Sequence, residues 1–126
     1  MPGKPAETAN LFSQGIRSFN QRDFYEAHEY FEAAWRRTTE NSREFYRALL
    51  HLSGGFFRLT QNRPKAARKF FTHALAWLDQ FPDTFMELDN FTLQQRLIHM
   101  IDAIDQQVNA EILIENYAYL LKSGED

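Results

Sequence analysis

Apolar residues recur at three- and four-residue intervals along most of the chain, and no stretch alternates apolar and polar residues for long enough to make a strand. The pattern predicts an all-α protein. A first helix is expected from about Glu7 to Asn20, with Leu11, Phe12, Gly15, Ile16 and Phe19 on one face. Gly15 within that face would let a neighbouring helix come close. A second helix is expected from Phe24 to Thr38, with Asp23 as N-cap and Glu26 as its capping-box partner. A third, Arg43 to Thr60 with Ser42 as cap, is apolar over more than half its circumference and should lie at the centre of the fold. Pro64 suits the first position of a fourth helix ending near Gln80. Phe81 to Asn90 is expected to be a loop, Thr92 to Gln107 a fifth helix and Ala110 to Lys122 a last, weakly amphipathic piece. Pro2, Gly3 and Pro5 mark a loose N-terminal tail, and Gly124 sits in a frayed C-terminus.

The segment Phe19 to Trp35 can be laid over Leu59 to Leu75 at an offset of 40 residues. Gln21 then matches Gln61, Ala27 matches Ala67, Phe31 matches Phe71 and Ala34 matches Ala74. Each copy is a polar turn leading into a helix with small residues at packing positions, the logic of helical-hairpin repeats such as tetratricopeptide units. Two copies are too few for a solenoid. The expected architecture is an antiparallel bundle of about five to six helices built from helical hairpins.

A chain of 126 residues suits one domain and can bury an ordinary core. The apolar fraction of 44% and the twelve Phe supply that core. Net charge is −3, so there is no broad basic field for nucleic acid. Arg17, Arg22, Arg36, Arg37, Arg43 and Arg47 form one basic group and Arg63, Lys65, Arg68 and Lys69 another. Acidic residues lie among them, so solvated faces with salt bridges are expected instead. The absence of Cys excludes disulfides and thiolate metal sites. The opening MPGKPAETAN has no apolar run, so no secretory signal is expected in it, and no run approaches the roughly 20 residues of a membrane span. A soluble, cytoplasmic protein is the expectation. No Gly-rich phosphate loop, nucleophile elbow, EF-hand loop or Cys/His finger is present.

Residues 28–35 read HEYFEAAW and carry the most chemistry. At about 100° per residue, Phe24, Ala27, Phe31 and Trp35 form the apolar stripe of the second helix, His28 falls inside it and Glu32 at its edge. His28 should therefore be largely buried, with Glu32 one turn away as partner and Tyr25 and Glu29 toward solvent. On the third helix Arg47, His51 and Arg58 share one polar strip with Gly54 between them. If the strip faces the second helix, Arg47 could pair with Glu32 or Glu29, and His51 could complete a His/His/Glu cluster. His28 and Glu32 are spaced like two ligands of a zinc helix with Glu in place of the second His. A third ligand would come from His51, Glu29, His73 or another helix. The bland alternative is a satisfied His–Glu pair that locks two helices. His73 is expected at the boundary of the fourth helix near Trp77, His99 in solvent, and Trp35 and Trp77 as core or rim anchors.

GIRSFNQRDFYEAHEYFEAAWR, followed after a short polar gap by FYRALLHLSGGFFRLTQNRPKAARKFFTHALAWL, resembles the DUF309 family of small bacterial and archaeal helical proteins. The family's mark is His-x-x-x-Glu-x-x-Trp or Tyr, here His28, Glu32 and Trp35. The resemblance covers about Leu11 to Phe81 and leaves residues 83–126 as a C-terminal extension that covers the bundle or makes a dimer contact. It implies an all-α bundle and suggests metal binding by the His/Glu motif, and it carries no assigned reaction.

Two functions are consistent with these residues. One is a helical binding or scaffold module for an unknown protein or small molecule, with His28, Glu32 and Trp35 fixing two helices. The other is a protein binding a divalent metal such as zinc, with a metal-dependent hydrolase as its enzymatic form. There His28, Glu32 and His51 would be ligands and Glu29 or Arg47 a supporting or acid/base group. The first is preferred, because no nucleophile, base and third ligand stand together in the sequence.

Overall fold

A computed structural model describes residues 5–120 and 122. Pro2, Gly3 and Gly124, read above as parts of loose termini, lie outside the described residues. The helices are α1 (Pro5–Asn20), α2 (Phe24–Arg37), α3 (Ser42–Thr60), α4 (Pro64–Leu78), α5 (Asn90–Asp105) and α6 (Ala110–Tyr117). Pro5 begins α1 and does not belong to a loose tail; a first-turn position needs no N–H.

The echo at offset 40 is a structural repeat. Helices α1 and α2 form one hairpin and α3 and α4 the next. Arg22 and Asn62, 40 positions apart, both take positive φ, 68° and 56°. Asp23 N donates to Ser18 O, and Arg63 N to Arg58 O, each at 2.9 Å. These are the same Schellman-type turn made twice. The packing repeats as well. The Phe31 ring lies over Gly15 and the Phe71 ring over Gly55, so close that a methyl group at either glycine would collide with the ring. Phe31, Phe71, Ala27, Ala67, Ala34 and Ala74 are all fully buried.

Helix α3 packs against both α2 and α4, as its broad apolar face required. Phe45, Leu49, Leu52, Phe56 and Leu59 are buried on it. About half a turn round from Arg47, Leu52 and Phe56 meet Leu93, Leu97 and Met100 of α5. The C-terminal third therefore closes that side of α3, and the polar strip is on the other.

Several expected boundaries move. Ser42 is the first residue of α3, not its cap; Asn41 holds the cap position without a side-chain bond. Asp23 does cap α2, accepting from Glu26 N at 3.1 Å. The Glu26 carboxylate accepts from Ser18 Oγ at 3.3 Å and does not return to the Asp23 N–H, which is already bonded to Ser18 O. Helix α5 starts two residues early because Asp89 caps it through Thr92 N at 3.0 Å and Thr92 Oγ1 at 2.8 Å. Helix α6 ends at Tyr117, and Lys122 instead bridges to Leu88.

The expected loop at 81–90 contains a two-stranded ribbon, β1 (Thr84–Phe85) antiparallel to β2 (Leu88–Asp89). Met86 and Glu87 both take positive φ, the geometry of a tight hairpin turn. Neither is the Gly or Asn that advertises such a turn, so tertiary packing imposes it: Phe85 lies on Phe45 at 4.9 Å and Phe81 at 4.7 Å. Buried Asn90 anchors the segment, its Nδ2 donating to Leu78 O at 2.9 Å and Pro82 O at 3.1 Å. Arg96, also buried, holds the tail with Nη1 donated to Tyr117 O at 3.2 Å and its guanidinium over the Tyr119 ring at 4.1 Å.

Gly55→Ala is expected to destabilise the protein by about 1–3 kcal/mol through overpacking against Phe71. Gly54→Ala, whose new methyl would lie 3.2 Å from the Phe70 ring, should cost less. Urea unfolding of the two variants measures the difference.

Candidate functional site

The polar strip of α3 lies between α2 and α4. On the α2 side stand Tyr25, His28, Glu32 and Trp35; on the α4 side, Phe70, His73 and Trp77. Helical spacing puts each set on one face, and the side-chain contacts join them across the strip.

Guanidinium groups and rings alternate along it. Arg43 lies over Trp35 at 4.4 Å. Arg47 lies 5.2 Å from Trp35 and 4.8 Å from Trp77, so it joins the two walls. Trp77 meets the His51 ring at 4.9 Å, and His51 meets His73 at 5.8 Å and Phe70 at 5.6 Å. Arg58 lies over Phe70 at 4.6 Å. Each such contact is worth about 0.5–2 kcal/mol depending on desolvation, so the row fixes its own members in place.

The expected pairings differ in detail. Arg47 bonds Glu44 at 3.1 Å, not Glu32 or Glu29, because Glu44 is one turn away on the same helix and also meets Arg43 at 3.3 Å. Glu32 bonds Arg36 at 2.6 Å. Its contact with His28 is 3.9 Å from Nε2 to Oε2, beyond a hydrogen bond. His28 is not largely buried: a third of its side chain is exposed, because α3 presents Gly54 at this level and leaves space. Its Nδ1, however, is shielded and has no hydrogen-bond partner among the described residues, and neither has the buried Nε1 of Trp35. Tyr25 is exposed, its hydroxyl bonded to Glu29, whose carboxylate holds the phenol above its usual pKa. His99 is exposed, as its wheel position implied, and His73, expected at the boundary of the apolar face, is exposed as well.

His51 faces α4. Its Nδ1 lies 3.0 Å from Arg47 O, and since a carbonyl only accepts, Nδ1 carries the proton and Nε2 the lone pair of the neutral ring. His28, Glu32 and His51 are thus on the same groove without converging. Among the described residues no group of three or more His, Cys, Asp or Glu is placed to hold a metal ion. The α2 end of the groove opens into a cavity of about 250 Å³ lined by Tyr25, His28, Gly54, Phe57 and Arg58. The sequence marked Phe57 and Phe70 only as apolar positions of their helices, and the guanidinium–aromatic row was not expected. Its signal was there in the spacing of Arg43, Arg47, His51, Gly54 and Arg58, but the facing walls needed a fold.

Residues 12–70 match the DUF309 family model, described as a domain of unknown function. The match is narrower than the resemblance from Leu11 to Phe81 and stops within α4. It holds the His28–Glu32–Trp35 motif and the whole α3 strip, and leaves His73 and Trp77 outside. No curated protein matches the chain. No helix among the described residues is long and apolar enough to cross a membrane.

Burial pushes the His51 pKa below its usual 6.5; the Arg47 carbonyl works against this, and the nearby charges of His73, Arg47 and His28 add to it. The unfolded chain therefore takes up this proton first as pH falls. The stability tied to neutral His51 is complete above about pH 6.5 and is lost as pH drops toward the folded pKa. Melting temperature should fall from pH 7 to pH 5, and less steeply in His51→Gln. Equal slopes for the two proteins would show that His51 does not drive the effect.

Proposed function

We propose that the protein is a helical binding module whose ligand site is the groove over the polar strip of α3. The observation that carries this reading is that a central helix, closed by the C-terminal helices on one side, leaves a half-buried row of guanidiniums and rings between α2 and α4, beside a cavity of about 250 Å³. Rigid aromatic and Arg side chains are the residue types that dominate binding energy at interfaces. The groove lies between hairpins, where helical-repeat proteins bind peptides. His28, Glu32 and Trp35 belong to its α2 wall, and in this reading they shape the wall and perform no reaction. Peptides selected from a random displayed library on the wild-type protein should bind Tyr25→Ala several-fold more weakly, because Tyr25 lines the cavity from an exposed position. Selection of no peptide, or equal binding to wild type and to Tyr25→Ala, would overturn the reading.

A second reading is favoured by the unpartnered Nδ1 of His28 and by the carbonyl-held Nδ1 of His51, the bond that orients many metal-binding imidazoles. It is a divalent-metal protein with His28 and Glu32 as ligands and His51 as the third, and in its hydrolytic form zinc would supply an activated water. As placed, His28 and Glu32 offer two donors, one short of the three that a catalytic zinc takes from its protein. Zinc at a hundredfold excess over its dissociation constant should stabilise a binding protein by about 2.7 kcal/mol. His28→Ala should lose that gain while costing less than about 1 kcal/mol by itself, since the His28–Glu32 contact is long and partly exposed. Melting unchanged by zinc in the wild type would remove this reading.

A further inference from the structure

We propose that the occupant of this groove is an acidic peptide segment of another protein, laid along α3 with a carboxylate in the cavity at Arg58. The inference rests on the binding-module reading and adds the chemistry of the partner.

Three guanidiniums, those of Arg43, Arg47 and Arg58, face the groove. Arg43 and Arg47 share one carboxylate, Glu44. Arg58 has no ion pair among the described residues; its charge rests on the Phe70 ring at 4.6 Å and near the Phe57 ring at 5.9 Å. Aromatic faces orient a guanidinium and leave its N–H edge free for a carboxylate. Of the three, Arg58 is therefore the one without a carboxylate partner among the described residues, while the α2 wall carries Glu32, paired with Arg36, and Glu29, bonded to Tyr25. Arg58 lines the cavity together with His28, whose shielded Nδ1 has no partner among the described residues, and with the rings of Tyr25 and Phe57. The lining therefore presents an anion anchor and apolar walls.

The dimensions select a peptide. At about 250 Å³ the cavity is below the roughly 300–1,000 Å³ that encloses a drug-sized ligand, and it suits one residue of a longer chain. From Arg43 to Arg58 the strip runs about 22 Å at the helical rise, which is about six or seven residues of extended peptide. Nucleic acid fits less well. The rings of Trp35 and Trp77 already carry Arg43, Arg47 and His51, so they are not open platforms for stacking bases, and the chain has no basic field beyond the strip.

Both tryptophans of the chain stand in this groove, so intrinsic fluorescence reads its occupancy. The probes are an N-acetylated, C-amidated hexapeptide of three Phe-Glu repeats, its Phe-Gln counterpart and an oligothymidylate of eight nucleotides. The Phe-Glu peptide should change the emission saturably, bind more weakly as salt is raised, and lose roughly tenfold or more in affinity in Arg58→Gln. Arg37→Gln removes the same charge from an exposed site on another face of α2 and should leave the affinity unchanged; circular dichroism of both variants checks the fold. Equal binding of the Phe-Gln peptide would overturn the acidic partner and leave the binding groove standing. Equal loss in Arg37→Gln would reduce the effect to net charge and overturn the assignment of Arg58. Tighter binding of the oligothymidylate would replace the peptide by nucleic acid. No response to the Phe-Glu peptide overturns the inference, and the library selection above then decides separately whether the groove binds any peptide.

Discussion

Phe31 reaches across the first hairpin onto Gly15, and Phe71 crosses the second onto Gly55. Everything else in the molecule depends on how near these two pairs let the helices come. Interiors are packed to crystal density, so a ring that fills the space over a glycine leaves no room for a methyl group. The distance between the helices of a hairpin is set by one residue on each. Because the two hairpins make the same contact and the same turn, α3 serves both as the first helix of the second hairpin and as the floor between α2 and α4. The repeat is short, but it is enough to make a groove.

That groove inherits its chemistry from a conflict on α3. The helix is apolar over most of its circumference and must be packed nearly all round, yet it carries Arg43, Arg47, His51 and Arg58 on one strip. Burying the cations bare would cost several kcal/mol each. Laying them against Trp35, Trp77 and Phe70 shields them from part of the water while keeping their edges wet. The same arrangement draws His51 toward α4 and away from His28. It also leaves His28 beside Gly54, at the edge of a cavity and without the close Glu32 bond that its spacing suggests.

The C-terminal third is what makes α3 central and not merely long. Leu93, Leu97 and Met100 of α5 cover the face opposite the strip, and the ribbon at 84–89 brings Phe85 onto Phe45. Asn90 and Arg96 hold this addition by donating to main-chain carbonyls, the use to which a buried amide and a buried guanidinium are suited. With that side closed, the strip is the open side of the helix.

The helices of the described residues, their order and the repeat at offset 40 could be read from the chain, because a 3.6-residue period and small residues at packing positions are local signals. Asp23 as a cap, Gly15 as a point of close approach, and the grouping of His28, Glu32 and Trp35 on one helix face and of Arg47 and His51 on another were legible for the same reason. The ribbon was not, since Met86 and Glu87 take positive φ without the residues that favour it, under the pull of Phe85 on its partners. Nor were the contacts within the site. Helical spacing says which side chains share a face; it does not say which of two neighbouring helices a long side chain will choose. Arg47 had Glu44 on its own helix and Trp35 and Trp77 on the helices to either side, and His51 had α2 on one side and α4 on the other. Only the packed positions of all three helices decided that Arg47 joins two tryptophans and that His51 turns to His73, because those choices depend on distances between elements that no local pattern contains.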